Sequence, residues 1–201
     1  MNVPMENWRF VIALVGSPGS GKTTAAEYLV TKGFTLFSIS EVRRTVGLAF
    51  DIDANDFDAM QKFTDDFYAK RGRGVFAEFA LRNIASRKVG RIVLEGLRYS
   101  ESVDVTRMFC STRGWGFLCV GLEVESDLAA KRIATRARPR DPQTPAAINK
   151  YATVAGRNAS EALEKCDVII ANDGTIDQLL EKIGEVTEQA ILKWTAENNH
   201  Q

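Results

Sequence analysis

Apolar residues gather along this chain in short unbroken runs, and each run is followed by a longer stretch of helical period. "FVIALV" (Phe10–Val15) precedes Lys22–Lys32, "FTLFS" (34–38) precedes Glu41–Leu48, and "RIVLE" (91–95) precedes Glu101–Thr112. "FLCVGLEV" (117–124) precedes Asp127–Thr135, and "DVIIA" (167–171) precedes Thr175–Ala196. Five such alternations predict five βα units, hence an α/β fold with a parallel sheet covered by helices. Gly33 falls where a left-handed helix cap is wanted, and "NDG" at 172–174 supplies turn chemistry after the last strand. Asp51–Lys88 breaks the alternation with charged, aromatic-rich helical patterning, which predicts two inserted helices. Phe57, Phe63, Phe67, Phe76 and Phe79 recur near the helical period and are expected to form core stripes. The chain has neither an internal repeat nor a Pro/Gly/Ser-rich linker, so one unit spanning 1–201 is expected.

Composition narrows the chemistry. The 201 residues are 45% hydrophobic, enough to bury a core. Twenty-six basic and 26 acidic residues cancel, which removes any general attraction to nucleic acid or membrane and confines a basic site to a local cluster. Three cysteines without C-x-x-C spacing and one histidine, His200, support neither a disulfide framework nor a zinc site. Cys110, Cys119 and Cys166 are expected to be reduced thiols, mostly in the core. The segment "MNVPMENWRF" lacks a basic n-region and the apolar run after it is too short to span a bilayer, so a cytoplasmic location is expected.

The most informative stretch joins the first strand to the first helix. Gly16, Ser17, Pro18, Gly19, Ser20, Gly21, Lys22 and Thr23 fit G-x-x-x-x-G-K-[ST] in the strand–loop–helix context that a phosphate-binding loop requires. Successive backbone N–H groups at a helix N-terminus make an anion cradle, and glycines let the backbone approach the phosphates. Lys22 can reach the β- and γ-phosphates, the Thr23 hydroxyl can hold Mg²⁺, and Thr24 follows at the helix start. A glycine-rich βα turn without a ligand is the bland alternative.

On these residues the chain resembles P-loop kinases of the adenylate-kinase and dephospho-CoA-kinase type, including the P-loop proteins related to the latter, from about Phe10 to Val186. The resemblance implies a three-layer P-loop NTPase fold, a helical acceptor-side insertion over 51–88 and an Arg-rich lid over 132–145. "RIVLEGLRYSESV" (91–103) is similar to a strand and loop that usually reads D-G-x-R in these families. By that likeness Glu95 is a magnesium-side carboxylate, with Glu standing for the usual Asp, and Arg98 points toward the acceptor. "SISEVRR" (38–44) resembles a segment whose final arginine binds the acceptor phosphate, which falls on Arg44. A guanidinium fork matches a phosphate bidentately. "KRIATRARPRD" (131–141) concentrates Arg132, Arg136, Arg138 and Arg140 and resembles a lid that closes over the transferring group, with Arg157 as a second arginine on the next helix. A solvated basic helix end would carry the same run. Asn172 and Asp173, in "IIANDG" (169–174), fall where relatives place a loop beside the adenine, although turn formation alone also accounts for them.

The implied cofactors are ATP and Mg²⁺. ATP is preferred over GTP because N-K-x-D is absent and D-x-x-G is not evident after the third strand. The implied partner is a small nucleotide-like acceptor, most simply a (deoxy)nucleoside monophosphate. An alcohol acceptor, as in dephospho-CoA, would call for a general base, and Glu41 is the only carboxylate near the second strand's end. A nucleotide-binding switch with little turnover is the remaining alternative.

Overall fold

The computed structural model describes residues 8–136 and 144–198. The five apolar runs become strands β1 Phe10–Val15, β2 Thr35–Ser38, β3 Arg91–Leu97, β4 Gly116–Glu123 and β5 Val168–Ala171. They form one sheet in the order β2-β3-β1-β4-β5, parallel throughout. Among the described residues eight helices surround it: α1 Lys22–Thr31, α2 Ile39–Leu48, α3 Phe57–Arg71, α4 Val75–Ala85, α5 Ser100–Ser111, α6 Ser126–Arg136, α7 Pro145–Leu163 and α8 Ile176–Asn198. The expected five-stranded parallel α/β fold is what forms.

Strand β1 lies at the centre of the sheet with helices on both faces. All six of its residues are therefore buried, and its sequence is an unbroken apolar run in place of an alternation. Val11, Ala13 and Val15 share one core with Leu81 of α4, Val103 of α5 and Ala162 of α7. Phe10, Ile12 and Leu14 share the opposite core with Leu29 of α1 and with Leu179 and Ile183 of α8. Each fully buried Leu, Ile or Phe contributes about 1.5–3 kcal/mol, so this double-sided packing is the rigid base on which the loops at the strand ends rest.

The 51–88 stretch contains the two expected helices. Asp56 starts α3 by accepting a hydrogen bond from the Ala59 N–H at 2.9 Å. Phe63 and Phe67 pack at 5.4 Å, and Phe67 stacks on the buried Phe76 at 5.2 Å, as a core stripe should. Two depart from that stripe: Phe79 is 38% exposed, and Phe57 meets Tyr151 of α7 edge-on at 5.6 Å. Helix α7 is the element that the hydrophobic alternation did not separate, because two helices rather than one connect β4 to β5. Its inner positions include Ala152, Ala159 and Ala162, whose small side chains let the helix pack closely. Thr144 caps it, accepting from the Ala147 N–H at 3.3 Å, with Pro145 in the first turn. Among the described residues no helix is long and apolar enough to cross a membrane.

Candidate functional site

The carboxyl ends of the parallel strands open into one cleft of about 810 Å³. The phosphate-loop motif forms its floor. Helix α1 begins at Lys22, directly after Gly21, whose φ of +92° is a left-handed conformation that glycine adopts freely. A Cβ there would also lie 2.5 Å from the Asn172 side-chain nitrogen. No side chain caps α1, so its first N–H groups keep their capacity for an anion.

The loop is braced from behind. Asn172, buried just past β5, donates from Nδ2 to the Ser20 carbonyl at 2.9 Å, and Arg132 of α6 donates to the Asn172 carbonyl at 3.0 Å. Asn172 and Arg132 thus support the loop's shape, and both also line the cleft. Asp173 is exposed beside them. Pro18, Gly19, Thr23 and Thr24 line the cleft, whereas Gly16 is buried and the fully buried Ser20 belongs to the loop's underside.

Lys22 lies across its own loop. Its Nζ donates to the Ser17 carbonyl at 2.6 Å and to Ser20 Oγ at 3.3 Å. Burial lowers its pKa from 10.5 to about 7; the Arg98 charge adds to this, Glu95 opposes it and Arg136 contributes further. Such an amine is short of negative charge, and a phosphate would supply it. Thr23 Oγ1 donates to Glu95 Oε2 at 3.3 Å, which joins the helix start to the end of β3. A hydroxyl and a carboxylate side by side suit Mg²⁺, a hard cation that takes one or two protein oxygens together with water and substrate phosphates. The Glu for Asp departure therefore still leaves the carboxylate beside Thr23.

A bulge in β3 directs the next residues. Leu14 pairs with Glu95 but Val15 pairs with Leu97, so Gly96 is an extra residue, and its φ of +94° is again left-handed. Bulges re-aim side chains at sheet ends. Here the strand turns so that Arg98 lines the cleft. Its guanidinium hydrogen-bonds the Tyr151 hydroxyl, and that partner raises its pKa against the cost of burial.

Helix α2 supplies the far wall. Glu41 and Arg44 form an i,i+3 ion pair, and both line the cleft. Their neighbour Arg43 is the functional candidate that sequence reasoning passed over. It lies on the inward stripe Ile39–Arg43–Gly47, where its flanking positions are buried. Its Nη1 reaches Thr64 Oγ1 at 3.5 Å, while its Nε is buried without a partner. Burial and then the Arg98 charge lower its pKa, the mark of a cation lacking a nearby anion. The signal in the sequence was an arginine four residues from Ile39 on an otherwise apolar face.

Arg136 ends α6 and lines the same cleft. Arg138 and Arg140 lie outside the described residues, and Arg157 is on α7 with its side chain outside the description. The cleft wall thus holds six cations (Lys22, Arg43, Arg44, Arg98, Arg132, Arg136) and two carboxylates (Glu41, Glu95), in a chain of zero net charge.

Comparison with known proteins agrees with this geometry. The model of an AAA domain family matches residues 11–157, and the chain belongs to that family. A UPF0200/UPF0201 protein of Archaeoglobus fulgidus is 26% identical over 182 residues, which cover 88% of this chain and 54% of the relative. The chain thus spans about half the length of that protein. A UPF0200 protein of Saccharolobus islandicus is 24% identical, with 90% of this chain and 94% of the relative covered. Among solved structures, shikimate kinase from Acinetobacter baumannii in complex with shikimate has a TM-score of 0.57 at 21% identity, over 90% of this chain and 94% of that one. Mycobacterium tuberculosis APS kinase in complex with AMPPNP and APS has a TM-score of 0.57 at 16% identity, over 90% and 98%. The fold is accordingly that of the P-loop kinases.

Proposed function

We propose that the protein is an ATP-dependent small-molecule kinase that transfers the γ-phosphoryl group to a nucleotide-like acceptor, most simply a (deoxy)nucleoside monophosphate. The observation that carries this reading is a cleft with six cations and two carboxylates, continuous from the phosphate loop to Arg43 and Arg98. A binding site for one nucleotide alone would not need a partly buried arginine whose buried Nε lacks a partner at its far end.

In this mechanism the loop's N–H groups and the start of α1 hold the nucleotide phosphates. Lys22 exchanges its contacts with Ser17 and Ser20 for phosphate oxygens and regains its proton. Thr23 and Glu95 would hold Mg²⁺, which neutralises phosphate charge when bound with the nucleotide. Arg98 and Arg136, whose charges already act on Lys22, stabilise the charge spread over the equatorial oxygens during transfer. Arg43 holds the acceptor's anionic group, and residues 51–88 form the acceptor side. The whole chain works as one P-loop kinase domain, with 132–145 as the lid that brings Arg136, Arg138 and Arg140 over the reacting group.

A phosphate acceptor is favoured over an alcohol by the carboxylates. Glu41 is engaged by Arg44 and Glu95 by Thr23, so neither is poised as a general base, and an anionic acceptor oxygen needs none. The test is a panel of nucleoside monophosphates, deoxynucleoside monophosphates and dephospho-CoA, assayed for ADP release with Mg·ATP. ADP formation that depends on a monophosphate supports the reading. ADP formation that is the same with and without every acceptor overturns it.

A further inference from the structure

We infer that Cys119 and Cys166 form a reversible modification site, a thiol pair built to close into an intramolecular disulfide. Cys119 is on β4, fully buried, and Cys166 is in the turn between α7 and β5, partly exposed. Their sulfurs are 3.4 Å apart. A disulfide requires about 2 Å, a gap that side-chain rotation can close provided the two backbones are already adjacent.

Two contacts hold those backbones together, and two more clamp the turn to α5. The Asp167 N–H donates to the Cys119 carbonyl at 2.9 Å, and the Cys119 N–H donates to Asp167 Oδ2 at 2.7 Å. Arg107 of α5 clamps the turn from outside, pairing with Asp167 Oδ1 at 2.9 Å and donating to the Lys165 carbonyl at 2.8 Å. Gly121 makes room on the sheet: a Cβ there would come within 3.2 Å of the Cys166 sulfur. The third thiol, Cys110 on α5, is fully buried and serves as an internal control.

The chemistry balances with a small-molecule disulfide such as oxidised glutathione. Cys166, as thiolate, attacks one glutathione sulfur; the glutathione disulfide bond breaks and one glutathione thiolate leaves and takes up a proton. Cys119 then gives up its proton and attacks Cys166 Sγ, and the second glutathione leaves. Two protein thiols are oxidised and one glutathione disulfide is reduced to two thiols. The contact with Cys166 and burial both hold the Cys119 thiol well above its usual range, so the second step is the slower one and the mixed disulfide on Cys166 accumulates first.

The bond would close a loop from 119 to 166 that contains α6, residues 137–143 and α7. It therefore fastens both ends of the segment bearing Arg132, Arg136 and Tyr151 to the sheet. This inference does not depend on the kinase reading, and its test uses no acceptor. The full chain is incubated with oxidised glutathione under native conditions, alkylated, and examined by intact mass and non-reducing peptide mapping, beside Cys119→Ala and Cys166→Ala. The wild type is expected to pass through a mixed disulfide and end two hydrogens lighter, with the peptides containing Cys119 and Cys166 linked and Cys110 free. Cys119→Ala should stop at the mixed disulfide, and Cys166→Ala should not react. The oxidised wild type should melt about 5–15 °C higher than the reduced form, and dithiothreitol should reverse the shift. A wild type that stays reduced, stops at a stable mixed disulfide, or links through Cys110 overturns the inference.

Discussion

The two ends of the cleft are built differently. At the phosphate loop the binding groups are backbone N–H groups of one continuous segment, braced by Asn172 and Arg132. At the far end they are side chains from three separate places: Arg43 on α2, Arg98 beyond β3 and Tyr151 on α7. At the first end the open groups are the N–H groups at the start of α1, while the Lys22 side chain donates to its own loop. The second leaves a buried arginine nitrogen without a partner and sets two arginines close enough to lower the Arg43 pKa. A backbone cradle reads any polyphosphate; a side-chain wall reads a particular acceptor.

The largest break in this comparison should come from Lys22→Ala. Turnover is expected to fall by at least about three decades while the melting temperature is held, because in the proposed mechanism the lysine supplies charge at the transferring group. Unaltered turnover would remove the loop from the mechanism. Arg136→Ala should follow, with kcat down by about two to four decades and ATP affinity nearly unchanged, if as proposed its contact with the transferring group is made on closure. The reverse pattern would make it a ground-state ligand.

The acceptor end should respond through KM. Arg43→Ala is expected to lower kcat/KM for the acceptor by about 100-fold and to leave the KM for ATP alone, in keeping with loss of a charge-assisted contact. Arg44→Ala should cost less, because Arg44 is paired with the exposed Glu41. If Arg44 is the more damaging of the two, the acceptor anion sits on the outer arginine. Tyr151→Phe keeps the ring against Phe57 but removes the hydrogen bond to Arg98, and should raise the acceptor KM by about tenfold.

The smallest effect is a pH dependence. In the free protein the Lys22 amine titrates near 7, and a bound phosphate raises its pKa again. Above pH 7 binding must therefore take up a proton, so affinity should fall as pH rises, by up to about tenfold per unit, and should level off below pH 7. Calorimetry of metal-free ADP in buffers of differing ionisation enthalpy measures that proton. Zero uptake at pH 8 to 9 would mean that the amine is already charged in the free cleft.

The same contrast explains what was legible from the residues alone. The phosphate loop could be read because its chemistry lies in eight consecutive positions, and the sheet because buried parallel strands are written as unbroken apolar runs. Glu95 could be aligned by the glycine after it, although the bulge that turns Arg98 into the cleft became visible only in the pairing of β1 with β3. Arg43 was hidden because helix phase, which separates it from Arg44 by a quarter turn or more, decides which of two adjacent arginines points inward. Tyr151 was hidden more deeply, since its contact with Arg98 joins residues more than fifty positions apart in the chain.

The central claim is that the cleft joins a nucleotide to an anionic acceptor and moves a phosphoryl group between them. Its most direct test is the fate of label from γ-labelled ATP, incubated with Mg²⁺, the protein and each nucleoside monophosphate in turn. Label should appear in a new phosphorylated nucleotide, in step with ADP, and this product should be lost with Arg43→Ala and with Lys22→Ala. Label recovered only as orthophosphate, or left wholly in ATP with every acceptor, would contradict the account.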